Sequence, residues 1–480
     1  MQVMEQKLHK VLKIQNSSNM KYYQKLIDAK KNNSKILIIG NGVENKQFIT
    51  WLVDVLNFDK KNIEIADQNK IENSEFKTYS GSDYLTSLNN NYELVIKAPG
   101  IWSNKPEFEA YRQKNGPDSI LSSLTFFVEH FRDKIIMITG TKGKTTTSSW
   151  ITHILKSTME DKKIEYCGNT TNISPYQFWD NLEADLNDYY FVLEVSSFQL
   201  QDLGHCKLSP KYSAITNLYI DHLDQHADKE EYWQAKDNIF LNQTKEDYLV
   251  ITKQVNDNIN SRELVPAAKT IIIDSPKIEE FKTKFTFNLI GEHNISNLLL
   301  AYNIVELINN KQIDLQPIID SFIPPKGRLE LIKTVKFNNH NITFYNDNTA
   351  TEPDAVVAAL DGICNIDNSK TILILSGKWK KGNHQHLADV IKKYESENKL
   401  SKVFYFGQTG AIVSELVYNK EQEFISFKEF LTTKDQLSLA LKEVKESNIN
   451  LLFSPSGSSW DEFNGYIERG QAYLNWIEKF

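Results

Sequence analysis

The feature that most constrains this chain is a succession of short apolar runs, each stopping at Gly, Asn, Asp or Ser. They are KILIIGNG, YELVIKAPG, KIIMITGTKG, YFVLEVSS, YSAITNL, ITFYNDN, KTILILSG, KVFYFG and NINLLFSPSG. Continuous runs of this length suit strands buried on both faces, the condition of a parallel sheet covered by helices. Helical patterns alternate with them in TTTSSWITHILKS, HNISNLLLAYNIVELI, EPDAVVAALDGI and the closing DEFNGYIERGQAYLNWIEKF. The alternation predicts an α/β fold repeated in several units. Open parallel sheets bind ligands beyond the carboxyl ends of their strands, so the chemistry is expected at the polar stops.

At 480 residues the chain exceeds one ordinary core. Boundaries are placed near KNGPDS (Lys114 to Ser119) and near FIPPKG (Phe322 to Gly327), where two prolines interrupt a helical pattern. The expected domains are therefore 1–117, 118–324 and 325–480, with 1–33 as an extra helical or flexible segment. A content of 40% hydrophobic and 24% charged residues is the balance of a globular, non-membrane chain. The net charge of -7 argues against broad binding to nucleic acid or anionic membranes, while a locally basic pocket for anionic small molecules stays possible. The three cysteines, Cys167, Cys206 and Cys364, show no C-x-x-C spacing, so neither a disulfide framework nor a zinc site is expected. The first 33 residues lack the apolar core of a signal peptide, and no later run is long enough to span a bilayer. A cytoplasmic, monomeric protein without membrane insertion is expected.

The stretch MITGTKGKTTTSSW, Met137 to Trp150, departs from the usual phosphate-loop signature G-x-x-x-x-G-K-[ST], because Ile138 stands where the first glycine belongs. It still supplies a strand, a turn with Gly140 and Gly143, and a helix whose N-terminal N–H groups suit phosphate. Lys144 adds a point charge, and the hydroxyl of Thr145 or Thr146 is available to Mg2+. We read it as a phosphate loop of a variant kind. Glu194 ends an apolar strand, where an isolated carboxylate is costly. A metal ion would resolve that cost, as would a lysine or a helix N-terminus. By pattern alone Lys236, in EEYWQAKDNIF, is a surface charge, Asn294 is a helix cap, and Asp221, Asp224 and His226 form a solvated or capping cluster.

TGTKGKTT resembles the loop of the Mur ligase family, whose members join amino acids to a UDP-linked muramoyl precursor of peptidoglycan, and that of the related folylpolyglutamate synthetases. Further stretches are similar, in order, to the glutamate-adding branch of that family. They are LEVSSFQL (Leu193 to Leu200), NLYIDHLDQH (Asn217 to His226), YWQAK (Tyr232 to Lys236), GEHNISN (Gly291 to Asn297), YNDNTATEP (Tyr345 to Pro353) and SPSGSSWDEFNGYIERG (Ser454 to Gly470). The resemblance runs from about Ser34 to the end of the chain. It implies a Rossmann-like N-terminal domain for the UDP-linked precursor, a central P-loop ATPase-type domain with a parallel sheet, and a C-terminal Rossmann-like domain for glutamate. The implied reaction is ATP-dependent amide formation through an acyl phosphate, in the synthesis of peptidoglycan precursors and hence in cell-wall growth, cell shape and division.

The resemblance also assigns roles to residues. Gly140, Thr141, Lys142, Gly143, Lys144, Thr145 and Thr146 would hold the phosphates of ATP, Asn294 and Asn297 would meet the nucleotide, and Arg328 and Asp347 would close over it from the third domain. Mg2+ would be held by Thr145, Glu194, His222 and Lys236, the last because the family's lysine at this position is carbamylated. Lys144, Glu194, His222, Lys236, Arg328 and Asp347 form the implied catalytic set. Asn41, Gly42 and the turn after Ala98-Pro99-Gly100 would bind the UDP end, and Asn169 the muramoyl part, although Thr170 and Thr171 replace the usual glycine-rich continuation. Thr351, Lys380 or Lys381, Ser459 and Tyr466 would bind glutamate, with Lys378 on the basic rim.

Three departures stand out. Gly327 occupies a position where relatives often carry His. Lys142 stands where the D-glutamate-adding branch usually has Asn, and Thr349 where it usually has Lys. The last two lean toward an L-glutamate-adding relative, whereas the C-terminal segment leans toward D-glutamate. The expected partners are thus UDP-N-acetylmuramoyl-L-alanine and glutamate, D-glutamate favoured, with ATP and Mg2+ and no nucleic acid. The alternatives are an L-glutamate ligase on the same precursor and a nucleotide-binding switch that ligates nothing.

Overall fold

A computed structural model describes residues 20–72, 74–168, 173–179, 188–219, 226–287, 291–309, 313–366, 368–380, 382–420 and 425–480. The chain divides into two compact units, Met1–Glu280 with Leu298–Ile318, and Phe281–Asn297 with Ile319–Phe480.

The first unit carries two parallel sheets. One is built from β1 (Ile36–Ile39), β2 (Ile63–Asp67), β3 (Lys77–Ser80), β4 (Leu94–Lys97) and β5 (Ile120–Leu121), in the order β3-β2-β1-β4-β5. The other comprises β6 (Ile135–Thr139), β7 (Lys163–Gly168), β8 (Tyr189–Glu194), β9 (Tyr212–Ile215), β10 (Tyr248–Thr252) and β11 (Lys269–Ile273), ordered β11-β10-β9-β6-β8-β7. The second unit holds β12 (Glu330–Phe337), β13 (His340–Asn346), β14 (Lys370–Ser376), β15 (Leu400–Tyr405) and β16 (Asn448–Ser456), in the order β12-β13-β16-β14-β15. Only β12 runs antiparallel to its neighbour among the described pairs. The expected α/β architecture with parallel sheets is present. β1 and β6 are buried at every position, which is why each reads as an unbroken apolar run.

The strands without such a run have a physical reason to lack it. β12 lies at a sheet edge and its residues are half-buried or exposed along its whole length, so ELIKTVKF alternates instead of running apolar. The closing helix is also shorter than its pattern. It spans Tyr466–Ile477, because Gly465 before it has φ +149, a conformation that favours glycine and interrupts a continuous helix from Asp461.

The two sheets of the first unit share one core. Phe48 and Trp51, on the helix Val43–Asp54 that follows β1, pack against Tyr176 with ring centroids 4.9 and 5.1 Å apart. Phe48 also stacks on Phe126 of the helix Ser123–Phe131, and Phe127 of that helix meets Phe191 of β8 edge-on. A buried ion pair adds to this union, the Lys97 ammonium at the end of β4 lying 3.0 Å from the Asp202 carboxylate on the helix Ser197–His205. Part of the N-terminal segment joins the same core as the helix Lys21–Lys31. That helix has no capping side chain of its own. The Glu129 carboxylate, on a neighbouring helix, accepts from the backbone N–H groups of Tyr22 (3.0 Å) and Tyr23 (2.8 Å). Among the described residues no helix is long and apolar enough to cross a membrane.

Candidate active site

The turn after β6 leads into the helix Lys144–Thr158, whose first internal backbone bond runs from Thr147 N–H to the Gly143 carbonyl. The N–H groups of the preceding residues are thus not used within the helix and sit at its positive end. Gly140 has φ +141, and a Cβ there would lie 1.9 Å from Thr216 Oγ1. Gly143 is left-handed at φ +82. These two positions need glycine, whereas Ile138 lies inside β6 and does not. Asn217, at the polar stop after β9, braces the loop. Its side-chain oxygen accepts from Lys142 N–H (2.8 Å), its amide donates to the Lys142 carbonyl (3.0 Å), and its own carbonyl accepts from Thr141 N–H (3.0 Å).

Four of the expected residues meet at the carboxyl ends of β6 and β8. The Lys144 ammonium donates to the carbonyls of Gly140 (3.0 Å) and Thr141 (3.1 Å). Thr145 Oγ1 donates to Glu194 Oε2 at 2.8 Å, and Glu194 is 1% exposed. Lys236 reads as a surface charge, yet it is 2% exposed, because its side chain turns inward beneath the loop. Its ammonium lies 3.1 Å from the same Gly140 carbonyl that Lys144 uses and 4.6 Å above the Tyr232 ring. A second residue departs from its expected setting: His226 is 2% exposed, its ring stacked on Phe198 and 3.0 Å from Ser197 Oγ, so it belongs to the packing of the helix Ser197–His205 and not to a solvated cluster. Oxygen donors from Thr145 and Glu194, already in contact in a buried setting, fit a hard cation such as Mg2+. Asn169, Thr170, Thr171, Asp221, His222, Asp224 and Lys381 lie outside the described residues.

At the first sheet, Asn41 N–H donates to the Asp67 carboxylate at 2.6 Å, and Gly42 caps the helix Val43–Asp54. A cavity of about 480 Å³ opens beside Asn41, lined by Lys46, Ile49, Val53, Ile65 and Phe76, a size that suits a small-molecule moiety. A smaller one, of about 130 Å³, brings together Glu44, Pro99, Gly168, Leu193 and Gln199. The Glu44 carboxyl is pushed up by burial, an effect offset in part by its hydrogen bond from Ser123.

In the second unit, Arg328 lies between two left-handed residues, Gly327 at φ +70 and Leu329 at φ +50. Gly327 adopts that conformation without cost. Leu329 does not, and is held by the Asp347 carboxylate, which accepts its N–H at 3.0 Å and the Ser454 hydroxyl at 2.8 Å. Asn294 and Asn297 sit three residues apart in the first turns of the helix Glu292–Asn309, on one face. Lys380 pairs with the Glu352 carboxylate at 3.0 Å, and Thr349 Oγ1 donates to the Gly327 carbonyl at 2.9 Å. Thr351 is half-buried next to this pair, Ser459 is buried, and Tyr466 is exposed at the start of the last helix. The segments carrying Lys378 and Ser458 form an antiparallel bridge, so the turns after β14 and β16 make one ridge.

Arg469 ties this ridge to the turn after β13. Fully buried, it donates to the Asn348 side-chain oxygen (3.0 Å), the Asn348 carbonyl (3.1 Å) and the Gly457 carbonyl (2.9 Å), and burial pushes its guanidinium down to about 10. The sequence reading missed both Asn217 and Arg469. Asn217 carried a usable signal, since it is the polar stop of an apolar strand. Arg469 carried a weaker one, a charge within the apolar periodicity of the closing helix.

Residues 138–305 match the Mur ligase middle domain. The chain is 30% identical over 458 residues to the UDP-N-acetylmuramoylalanine--D-glutamate ligase of Caldicellulosiruptor bescii, covering 88% of this chain and 92% of that one. It is also 30% identical over 415 residues to the ligase of the same name from Bacillus cereus strain G9842, covering 83% and 86%. Among solved structures it shares the fold of a MurF from Acinetobacter baumannii (TM-score 0.55, 14% identity, 95% and 98% covered). It is similar as well to the UDP-N-acetylmuramate-alanine ligase MurC from Thermotoga maritima (TM-score 0.51, 17% identity, 93% and 99% covered). With a phosphate loop, a buried carboxylate beside it and this identity over most of its length, the chain belongs to the Mur ligase family of ATP-dependent, amide-forming ligases.

Proposed function

We propose that this protein adds glutamate, D-glutamate in preference to L-glutamate, to the carboxylate of UDP-N-acetylmuramoyl-L-alanine, at the expense of ATP. The observation that carries this reading is the convergence of Lys144, Thr145 and Glu194 beside a phosphate loop, in a chain 30% identical to ligases named for that reaction. In the reaction, a precursor carboxylate oxygen attacks the γ-phosphorus and ADP leaves. The glutamate amine then attacks the acyl carbon, and phosphate departs with that oxygen. Lys144 exchanges the loop carbonyls for phosphate oxygens, and the helix N-terminus receives the phosphates on its N–H groups. Thr145 and Glu194 would hold Mg2+, which offsets charge on the transferring group.

Lys236 is assigned as a carbamate. What supports this is its place: the side chain is buried beneath the phosphate loop and shares the Gly140 carbonyl with the Lys144 ammonium, where a carbamate would bring an anion beside the phosphates. His222 is assigned to a second cation or to phosphate. Residues 118–324 form the ATP domain, to which Asn294 and Asn297 contribute, with Arg328 and Asp347 closing over the nucleotide. Residues 1–117 receive the precursor through Asn41 and Gly42, aided by Asn169. Residues 325–480 receive glutamate through Thr351, Lys380 or Lys381, Ser459 and Tyr466. The protein acts as a monomer in the cytoplasm, in keeping with buried, unbridged Cys167, Cys206 and Cys364.

An L-glutamate reading is favoured by one observation: Thr349 spends its hydroxyl on the Gly327 carbonyl and brings no charge to the acceptor ridge. The two enantiomers place the same carboxylates and amine differently about the α-carbon, so a site that fixes both carboxylates presents only one amine to the acyl phosphate. Phosphate release and ligated product are expected to require both precursor and glutamate, with D-glutamate favoured by a factor on the order of 10². Faster turnover with L-glutamate at equal concentration would overturn the stereochemical assignment. Phosphate release without either co-substrate would favour a nucleotide switch.

A further inference from the structure

We propose that Tyr166 is a positioning residue for Glu194, fixing the carboxylate that receives the divalent cation. The inference rests on the metal-binding reading of Glu194 given above. β7 and β8 pair in parallel from Lys163↔Tyr189 to Gly168↔Glu194, and Tyr166 is in register with Val192. Paired residues stand on the same face of a parallel sheet and side chains alternate along each strand, so Tyr166, Val192 and Glu194 share one face. The Tyr166 hydroxyl lies 3.1 Å from Glu194 Oε2, the same oxygen that Thr145 reaches at 2.8 Å. Two residues further on, Gly168 has φ +115, and a Cβ there would stand 2.3 Å from the Glu194 carbonyl oxygen. The strand end is therefore pressed against Glu194, and the reach of the phenol is set by the register of the backbone.

Thr145 and Tyr166 differ in kind as donors to Oε2. Thr145 lies in the first turn of the phosphate-loop helix, and its hydroxyl would turn to the cation once nucleotide and metal are bound. Tyr166 stands on a strand paired over six residues, so its hydroxyl is held where the backbone register puts it. Once Thr145 has turned away, the phenol keeps the plane of the carboxylate fixed. A partner that orients a metal ligand typically changes metal affinity by about 10-fold to 100-fold when it is removed.

Mn2+ serves as the probe, its free concentration followed by electron paramagnetic resonance as it is titrated into the full chain with excess ADP, so that no turnover is needed. Native protein is expected to bind Mn2+ beyond ADP alone. Tyr166→Phe is expected to bind it more weakly by on the order of 10-fold with an unchanged melting temperature, and Glu194→Gln to lose most of the binding. Native-like Mn2+ affinity in Tyr166→Phe, alongside loss in Glu194→Gln, would overturn the role of Tyr166 while leaving the metal site standing. A lowered melting temperature with unchanged affinity would likewise overturn it, making Tyr166 a packing residue of an edge strand. No Mn2+ binding by the native protein would overturn the reading of Glu194 itself, and this inference with it.

Discussion

Lys144→Ala is expected to abolish useful ligation, lowering kcat/KM by on the order of 10²–10³ or more, the scale of losing a principal charge-stabilising group. The fold should be indifferent to the change. The ammonium is half-buried and donates to the loop carbonyls of Gly140 and Thr141, outside the packed sheet. A substitution of this kind typically changes stability by no more than about 0.5 kcal/mol. Steady-state ligation and thermal melting, measured on the same preparation, check both halves. Full activity would remove the loop from the mechanism, and a collapsed melting transition would make Lys144 a structural residue.

Lys236→Ala is expected to cost nearly as much, a loss on the order of 100-fold in turnover, because it deletes a buried group beneath the loop that a carbamate would turn into an anion. The distinguishing result is chemical rescue. Short carboxylic acids such as formate or acetate are expected to enter the vacated space in the alanine variant and restore part of the rate, while leaving the native enzyme unaffected. Removing bicarbonate should slow the native enzyme and not the variant. Failure of every acid to rescue, together with an active native protein carrying no added CO₂ mass on Lys236, would contradict the carbamate.

What the sequence made legible follows from which contacts are local. β1 and β6 announce themselves because burial on both faces demands continuous apolar residues, and the phosphate loop does so because its glycines, lysines and threonines are consecutive. β12 stayed hidden because an antiparallel edge strand needs no such run. The braces of the site were harder to see, since they join residues far apart. Asn217 reaches Lys142 across 75 residues, and Arg469 reaches Asn348 across 121. Tyr166, 28 residues from Glu194, gives no signal in KIEYCG, because only the pairing of β7 with β8 brings the phenol to the carboxylate. The burial of Lys236 was equally invisible. A lysine in a polar helical run reads as solvated until the tertiary fold places the Gly140 carbonyl above it. Likewise, the sharing of one core by the first two sheets depends on Phe48, Phe127 and Tyr176, which lie on three separate helices.

The central claim, that the precursor carboxylate is activated by phosphorylation before an amine displaces phosphate, is tested most directly by oxygen tracing. UDP-N-acetylmuramoyl-L-alanine labelled with ¹⁸O in its alanyl carboxylate is incubated with ATP, Mg2+ and D-glutamate, and the inorganic phosphate is analysed by mass spectrometry. The account predicts that each turnover transfers a single ¹⁸O atom into phosphate, the other remaining in the new amide. Phosphate free of ¹⁸O, with its new oxygen drawn from water, would contradict it and identify a nucleotide hydrolase.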